Sequence, residues 1–298
     1  MHRLIPLVIL FFCFSVNAKE KKRRPVDPRE PAIIHYDVSE DRVLYNKNIN
    51  QTRPIASITK LMTAMVALDY STNMKRELSL VVKVSSSLPR KTYKRGELFE
   101  AMLIRSDNAA AETLANDYPG GRKAFIEEMN NKALRLGMST TVFRDPTGLN
   151  NNNVSTATEV ADMVKAASTY PLILNTSIKK QTYIETKYKK KVRTIMLTNT
   201  NRAILFEFDN VIVSKTGYTT PAGFCVAIMV EQKKKKLKEQ ENYGLMEYFM
   251  GKPGPKDETV VNKHVIVILG AKNPKERVDT VKEIMYNNVI DQDLEEVK

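Results

Sequence analysis

The chain has 298 residues, 42% of them hydrophobic, and a formal net charge of +13. That length and apolar share suffice for one large domain or two small ones with a true core. Cys13 and Cys225 are the two cysteines, and only Cys225 would survive removal of an export signal, which excludes disulfide stapling within the mature chain.

Met1 to Arg3 is a short basic segment, Leu4 to Val16 is apolar, and Val16-Asn17-Ala18 puts small residues where signal peptidase reads. This predicts a signal peptide over residues 1–18, cleaved after Ala18. The apolar run is shorter than the ~20 residues of a bilayer span, so a retained anchor is the lesser reading. Cys13 follows Phe11-Phe12 and lacks the small neighbour of a lipidated cysteine. No later segment reaches span length. The sequence therefore predicts an exported, periplasmic or wall-facing protein, soluble once processed.

Residues 19–30 are charged and contain proline, and read as a tether. Ala32 to Asp37 and Arg42 to Tyr45 read as two strands around a polar turn. Ser57 to about Tyr70 reads as a helix, with Ile58, Leu61, Met62, Met65 and Leu68 at helical steps. From Glu97 to Pro171 the pattern is helical: Ala109 to Leu114, Arg122 to Leu136, and Thr156 to Ala167, where Thr156 and Glu159 form a capping box. Asn210 to Lys215, Gly223 to Val230 and His264 to Leu269 read as strands, and Lys275 to Asn287 as a last helix. Glu231 to Lys263, Lys-rich and broken by Lys252-Pro253-Gly254-Pro255, reads as an exposed insertion. Strands at both ends around a helical middle predict one sheet built from both ends of the chain.

The basic clusters Lys19 to Arg24, Lys187 to Arg193 and Lys233 to Lys238 read first as solvated loops. Their functional alternative is attraction to an anionic wall polymer or membrane surface; the export signal argues against nucleic acid as the partner.

Ser57-Ile58-Thr59-Lys60 opens the first helix, and a spacing of three places amine and hydroxyl on one face. A serine hydroxyl becomes a nucleophile when a base takes its proton, and an amine does so once burial and neighbouring cations depress its pKa. Ser177-Ile178-Lys179-Lys180 has the same spacing but no apolar face behind it. Ser106-Asp107-Asn108 lies between helices, where the Ser106 hydroxyl can relay a proton and the Asn108 amide can hold Lys60 or a substrate amide. Ser71-Thr72-Asn73 matches too, but falls too close to Ser57. Lys215-Thr216-Gly217 ends an apolar strand: Lys215 and Thr216 can bind a carboxylate, and Gly217 leaves room for a substrate backbone.

Each motif is weak alone. In this order and in these contexts, they are the trio of serine β-lactamases and penicillin-binding proteins. The chain resembles the low-molecular-mass penicillin-binding proteins, the D-alanyl-D-alanine carboxypeptidases and endopeptidases, over about residues 31–230 and the last strand and helix. The likeness is densest at Ala56 to Met65, Ser106 to Ala110, Tyr118 to Gly121 with Ala124 to Ile126, Pro146 to Leu149, Asn153 to Ala157 and Ser214 to Thr219.

The resemblance implies an α/β, penicillin-binding-protein transpeptidase-like fold: an antiparallel sheet flanked by helices, with an inserted all-helical subdomain over about 72–205. It implies a catalytic domain over 31–298 that hydrolyses D-alanyl bonds in peptidoglycan stems, without metal or cofactor, and is acylated by β-lactams. By likeness, Ser57 forms the acyl-enzyme, Lys60 is its base and Ser106 relays the proton. Asn108, Lys215, Thr216 and Gly217 meet the substrate, and the backbone N–H groups of Ser57 and Tyr218 form the oxyanion hole. The chain stops soon after the catalytic fold, as the soluble endopeptidases do. Two alternatives share the scaffold. A β-lactamase would carry a deacylating Glu-x-x-Leu-Asn, and none lies between Ser106 and Lys215; a non-catalytic wall-binding protein would tolerate loss of the three catalytic positions, and all are present.

Overall fold

Residues Val265 to Leu269 are apolar without interruption, which suits a strand covered on both faces. The computed structural model, which describes residues 30–81, 84–188, 191–236 and 258–290, places that segment mid-sheet. Five antiparallel strands run in the order β2 (Arg42–Lys47), β1 (Ala32–Asp37), β11 (Glu258–Ala271), β10 (Gly223–Lys236) and β9 (Val211–Thr219). The first two strands thus pair with the last, as expected from strands at both ends of the chain. The expected signal and all of the tether but Glu30 lie outside the described residues.

Alternation along the strands sends Ile34, Val213, Ala227, Met229, Val267 and Leu269 to one face. There they meet α1 (Thr59–Tyr70) and α5 (Ala157–Ala167). Ile33, Val226, Ile228, Ile266 and Ile268 occupy the other face, under Val281, Ile284 and Met285 of α8 (Pro274–Met285). Helix α1 is the axis of the molecule: every residue from Thr59 to Leu68 is buried, polar Thr59, Lys60 and Thr63 included. The apolar stripe read from the sequence is therefore only part of its buried surface.

Between α1 and β9 lie α2 (Arg95–Ile104), α3 (Asn108–Asn116), α4 (Gly121–Arg135), α5, α6 (Pro171–Ser177) and the short α7 (Arg202–Leu205). This region is not all-helical, contrary to expectation. β4 (Glu77–Ser79) pairs with β5 (Thr92–Lys94), β3 (Arg53–Pro54) with β6 (Val154–Ser155), and β7 (Gln181–Tyr188) with β8 (Lys191–Thr198). In the last hairpin Ile184 and Leu197 are buried while Tyr183 and Met196 are exposed, an alternation that the surrounding lysines obscure.

The expected insertion over 231–263 also needs correction. β10 and β11 stay paired as far as Lys236 and Glu258, so much of it is strand; residues 237–257 lie outside the described residues. Gln232 and Asn262 make this stretch look like a loop in sequence, yet both are buried, as is His264 at the start of the expected strand. Gln232 Nε2 donates to the Val289 carbonyl of the π-helical turn Tyr286–Ile290 that follows α8, which supplies the hydrogen bond that a buried amide requires.

Candidate active site

Ser57 sits in a 3₁₀ turn, Ala56–Ile58, immediately before α1. Ala56 has φ +46°, an unusual value for a residue with a Cβ, and the turn is clamped from two sides. A Cβ on Gly148 would stand 1.9 Å from the Ala56 carbonyl oxygen, and one on Gly217 would stand 2.9 Å from the Ser57 nitrogen. Glycine at both positions therefore lets the 145–150 turn and the edge strand β9 close on the nucleophile.

One helical turn on, Lys60 is fully buried, with its Nζ 2.8 Å from Ser57 Oγ, 2.8 Å from Asn108 Oδ1 and 2.6 Å from the Thr147 carbonyl oxygen. Burial lowers its pKa from 10.5 to about 7, against the opposing pull of Asp145, Asp107 and Glu112. Of the two influences expected from sequence, burial and neighbouring cations, it is burial that prepares this amine.

Ser106 follows the C-terminus of α2 with φ +61°, a left-handed conformation for a residue with a side chain, and the two residues after it are held by side-chain hydrogen bonds. Asp107 caps α3 by accepting from Ala110 N at 2.9 Å, and it also accepts from the Ser86 hydroxyl and from the backbone and hydroxyl of Ser87. Asn108, the first residue of α3, thereby points its oxygen at Lys60 and donates through Nδ2 to Ser85 Oγ at 3.3 Å.

Lys215 approaches from β9. It is buried, donates to Ser106 Oγ at 3.0 Å and to the Thr216 carbonyl at 2.8 Å, and burial, followed by Lys60 and Arg277, pushes its pKa well down. Thr216 Oγ1 donates to Thr200 Oγ1 at 2.7 Å. Ser57, Ser106, Thr200, Thr216, Gly217 and Tyr218 line a cleft of about 300 Å³ together with Phe224, Pro274 and Arg277.

Ser57, Ser106, Thr216 and Gly217 of the three motifs thus line one cleft, and Lys60, Lys215 and Asn108 join them through hydrogen bonds: Lys60 to Ser57 and Asn108, Lys215 to Ser106. The competing tetrad and tripeptide do not join them. Lys179 pairs with Glu100 and Lys180 with Asp209, while the side chains of Ser71 and Asn73 accept from the backbone N–H groups of Asn73 and Lys75 in the turn after α1. Sequence reading missed the Thr147 carbonyl, Thr200 and Arg277. A backbone acceptor has no motif, and Arg277 stands alone on the last helix, its Nε without a hydrogen-bond partner among the described residues.

A strand edge laid against a serine whose hydroxyl touches a buried amine, within an antiparallel sheet covered by helices on both faces, defines a serine-type peptidase of the penicillin-binding-protein fold. Comparison with known proteins gives the same answer. Residues 19–239 match the family described as D-alanyl-D-alanine carboxypeptidase, and the chain belongs to that family. It is 33% identical over 243 residues to a D-alanyl-D-alanine endopeptidase of Pseudomonas aeruginosa, covering 76% of this chain and 78% of that one. To the D-alanyl-D-alanine endopeptidase of Escherichia coli it is 36% identical over 205 residues, 64% of each chain. Among solved structures, penicillin-binding protein D2 of Listeria monocytogenes in its cefotaxime-bound form superposes with a TM-score of 0.65 at 28% identity, over 85% of this chain and 94% of that one. The Streptomyces K15 DD-transpeptidase gives a TM-score of 0.70 at 22% identity, over 85% of this chain and 94% of that one, and bears on the fold alone.

Proposed function

We propose that this enzyme opens D-alanyl cross-links of peptidoglycan through an acyl-enzyme on Ser57. The observation that carries the reading is the Lys60 amine, buried and with a pKa of about 7, at 2.8 Å from the Ser57 hydroxyl. In its neutral form Lys60 takes the hydroxyl proton while Ser57 Oγ attacks the D-alanyl carbonyl carbon. The backbone N–H groups of Ser57 and Tyr218 receive the negative oxygen. As the tetrahedral intermediate collapses, the C–N bond breaks and the amine leaves with a proton relayed through Ser106. Water then attacks the ester by the reverse path, with Lys60 again as base.

The substrate peptide lies along the open edge of β9, where Gly217 admits its backbone. Its terminal carboxylate sits toward Lys215, Thr216 and Thr200, with Arg277 adding positive charge to that end of the cleft. Asn108 orients Lys60 and the donor amide. The relatives named as endopeptidases support cross-link cleavage over removal of a terminal D-alanine. The export signal expected over residues 1–18 supports a reaction on the periplasmic or wall side, where the Lys-rich segments would favour anionic polymer or membrane surface.

Cross-linked and monomeric muropeptides, digested with the protein and with Ser57→Ala, test this reading. Conversion of dimers to monomers by the wild type alone is expected. Release of free D-alanine with dimers left intact would assign the carboxypeptidase activity instead, and equal turnover by Ser57→Ala would refute the mechanism.

A further inference from the structure

The turn at 145–150 is held by one carboxylate. Asp145, nearly buried, accepts through Oδ1 from Thr147 N at 2.7 Å, Gly148 N at 2.6 Å, Thr147 Oγ1 at 3.1 Å and Asn153 Nδ2 at 3.2 Å, and through Oδ2 from Asn150 N at 2.6 Å. A carboxylate only accepts, so it can gather several N–H groups of a tight turn where a neutral side chain would bring donors of its own. The turn is also fastened to one face of α1. Thr63 Oγ1 donates to the Pro146 carbonyl at 2.6 Å, and Asn153 Nδ2 donates to Thr59 Oγ1 at 3.1 Å. Between these two anchors, the Thr147 carbonyl makes the shortest of the contacts to Lys60, at 2.6 Å.

That carbonyl settles which way the amine points. A neutral amine has two N–H groups and one lone pair. The Thr147 carbonyl and Asn108 Oδ1 can only accept, so each takes one N–H, and the lone pair is left facing the Ser57 hydroxyl, the one partner of the three that can donate, which lies 2.8 Å from the amine against 3.4 Å from the Thr147 carbonyl. With the Thr147 carbonyl displaced, an N–H is released to turn toward Ser57, and the amine then faces the nucleophile as a donor.

We infer that Asp145 is a positioning residue of the reaction: by building the turn that presents the Thr147 carbonyl, it aims the Lys60 lone pair at Ser57. The inference rests on the acyl-enzyme reading above. Asp145 touches none of the reacting atoms and acts through Thr147. Its negative charge also opposes deprotonation of Lys60, as do those of Asp107, the cap of α3, and Glu112 on α3, while Lys215 on β9 is the basic group facing the same amine and Arg122 on α4 lies close to Asp145 and Glu112.

The test is the rate of acylation by a fluorescent penicillin, per folded molecule, across pH 5 to 9, for the wild type, Ser57→Ala, Asp145→Asn and Thr63→Val. Asp145→Asn keeps an oxygen for Thr147 N and Gly148 N but turns an N–H group toward the Asn150 N–H. Its plateau rate should fall at least tenfold, and its half-maximum should move below that of the wild type because a negative charge near Lys60 is gone. Thr63→Val releases the Pro146 anchor without changing charge, so its plateau should fall while its half-maximum stays. Unchanged plateaus in both variants, with only their melting temperatures lowered, would make Asp145 merely structural and overturn the inference. Should Asp145→Asn fail to fold, an unchanged plateau in Thr63→Val would overturn it alone. A wild type that the penicillin does not acylate would sink the acyl-enzyme reading itself, and this inference with it.

Discussion

A buried amine that works as a base near neutral pH is a stability burden, and Lys60 shows the size of it. Its pKa is about 7 in the fold against 10.5 in a free lysine, so between those values the unfolded chain binds a proton that the folded chain does not. The resulting destabilisation is full below pH 7, on the order of 5 kcal/mol, and fades as pH rises toward 10. Lys60→Met, of similar length and apolar, should therefore abolish acylation and raise stability relative to wild type, most at pH 7 and progressively less toward pH 10. Denaturant melts of both proteins across that range check it; a gap that does not narrow with pH would contradict it. Two glycines invite a second test. Gly217→Ala would bring a Cβ to 2.9 Å from the Ser57 nitrogen in ordinary strand backbone, so it should lower stability by about 1–3 kcal/mol and remove most activity. Gly148→Ala, at φ +83° and 1.9 Å from a carbonyl oxygen, should be harsher, yielding little folded protein. Expression and melting temperature distinguish the two.

At the scale of elements, a chain of side chains joins the sheet to its last turn. Gln232 Nε2 donates to the Val289 carbonyl, so its Oε1 accepts from His264 Nε2 at 3.1 Å. His264 Nδ1 is then an acceptor, 3.3 Å from the N–H at His35 Nε2, and His35 Nδ1 is left without a hydrogen-bond partner among the described residues. Burial first, then His264, lowers the His35 pKa to about 4, with Asp37 opposing. Folded below unfolded in pKa means that the fold binds fewer protons. The contribution is complete above pH 6.5 and is lost as pH falls toward 4, by about 3 kcal/mol. His35→Leu should flatten the stability profile in that window, and parallel profiles for variant and wild type would refute the assignment.

The same elements show what a sequence can and cannot reveal. The strands at both ends, the nucleophile helix and the three motifs were legible because periodicity and fixed residue types carry them. The β7–β8 hairpin and the extension of β10 were not, because lysines hide the alternation in one, and Gln232 and its partner Asn262 look like loop residues until their burial is known. Within the site, Ser57, Lys60, Ser106, Asn108 and Lys215 could be read in advance, whereas the Thr147 carbonyl and Arg277 could not. A backbone oxygen has no residue signature, and a lone arginine distant in sequence gains meaning only when α8 folds back over the sheet.

Taken whole, the molecule is a sheet made from both chain ends with a central helix buried beside it, and its cleft opens where the inserted region meets the sheet edge. Among the described residues, that layout leaves β9 unpaired on its outer side for a peptide and brings amine, hydroxyls and a second lysine together from α1, the α2–α3 junction and β9. Because no Glu-x-x-Leu-Asn lies between Ser106 and Lys215, the penicilloyl ester should outlast a β-lactamase intermediate by orders of magnitude, so that a fixed amount of protein consumes about one equivalent of drug.

Intact-mass spectrometry of the protein mixed with benzylpenicillin at a series of pH values, with peptide mapping of the product, tests the central claim most directly. One adduct per chain is predicted, on the peptide that contains Ser57, forming at a rate that rises with pH to a half-maximum near 7, where Lys60 loses its proton. An adduct elsewhere, none at all, or a rate indifferent to pH across that range would contradict it.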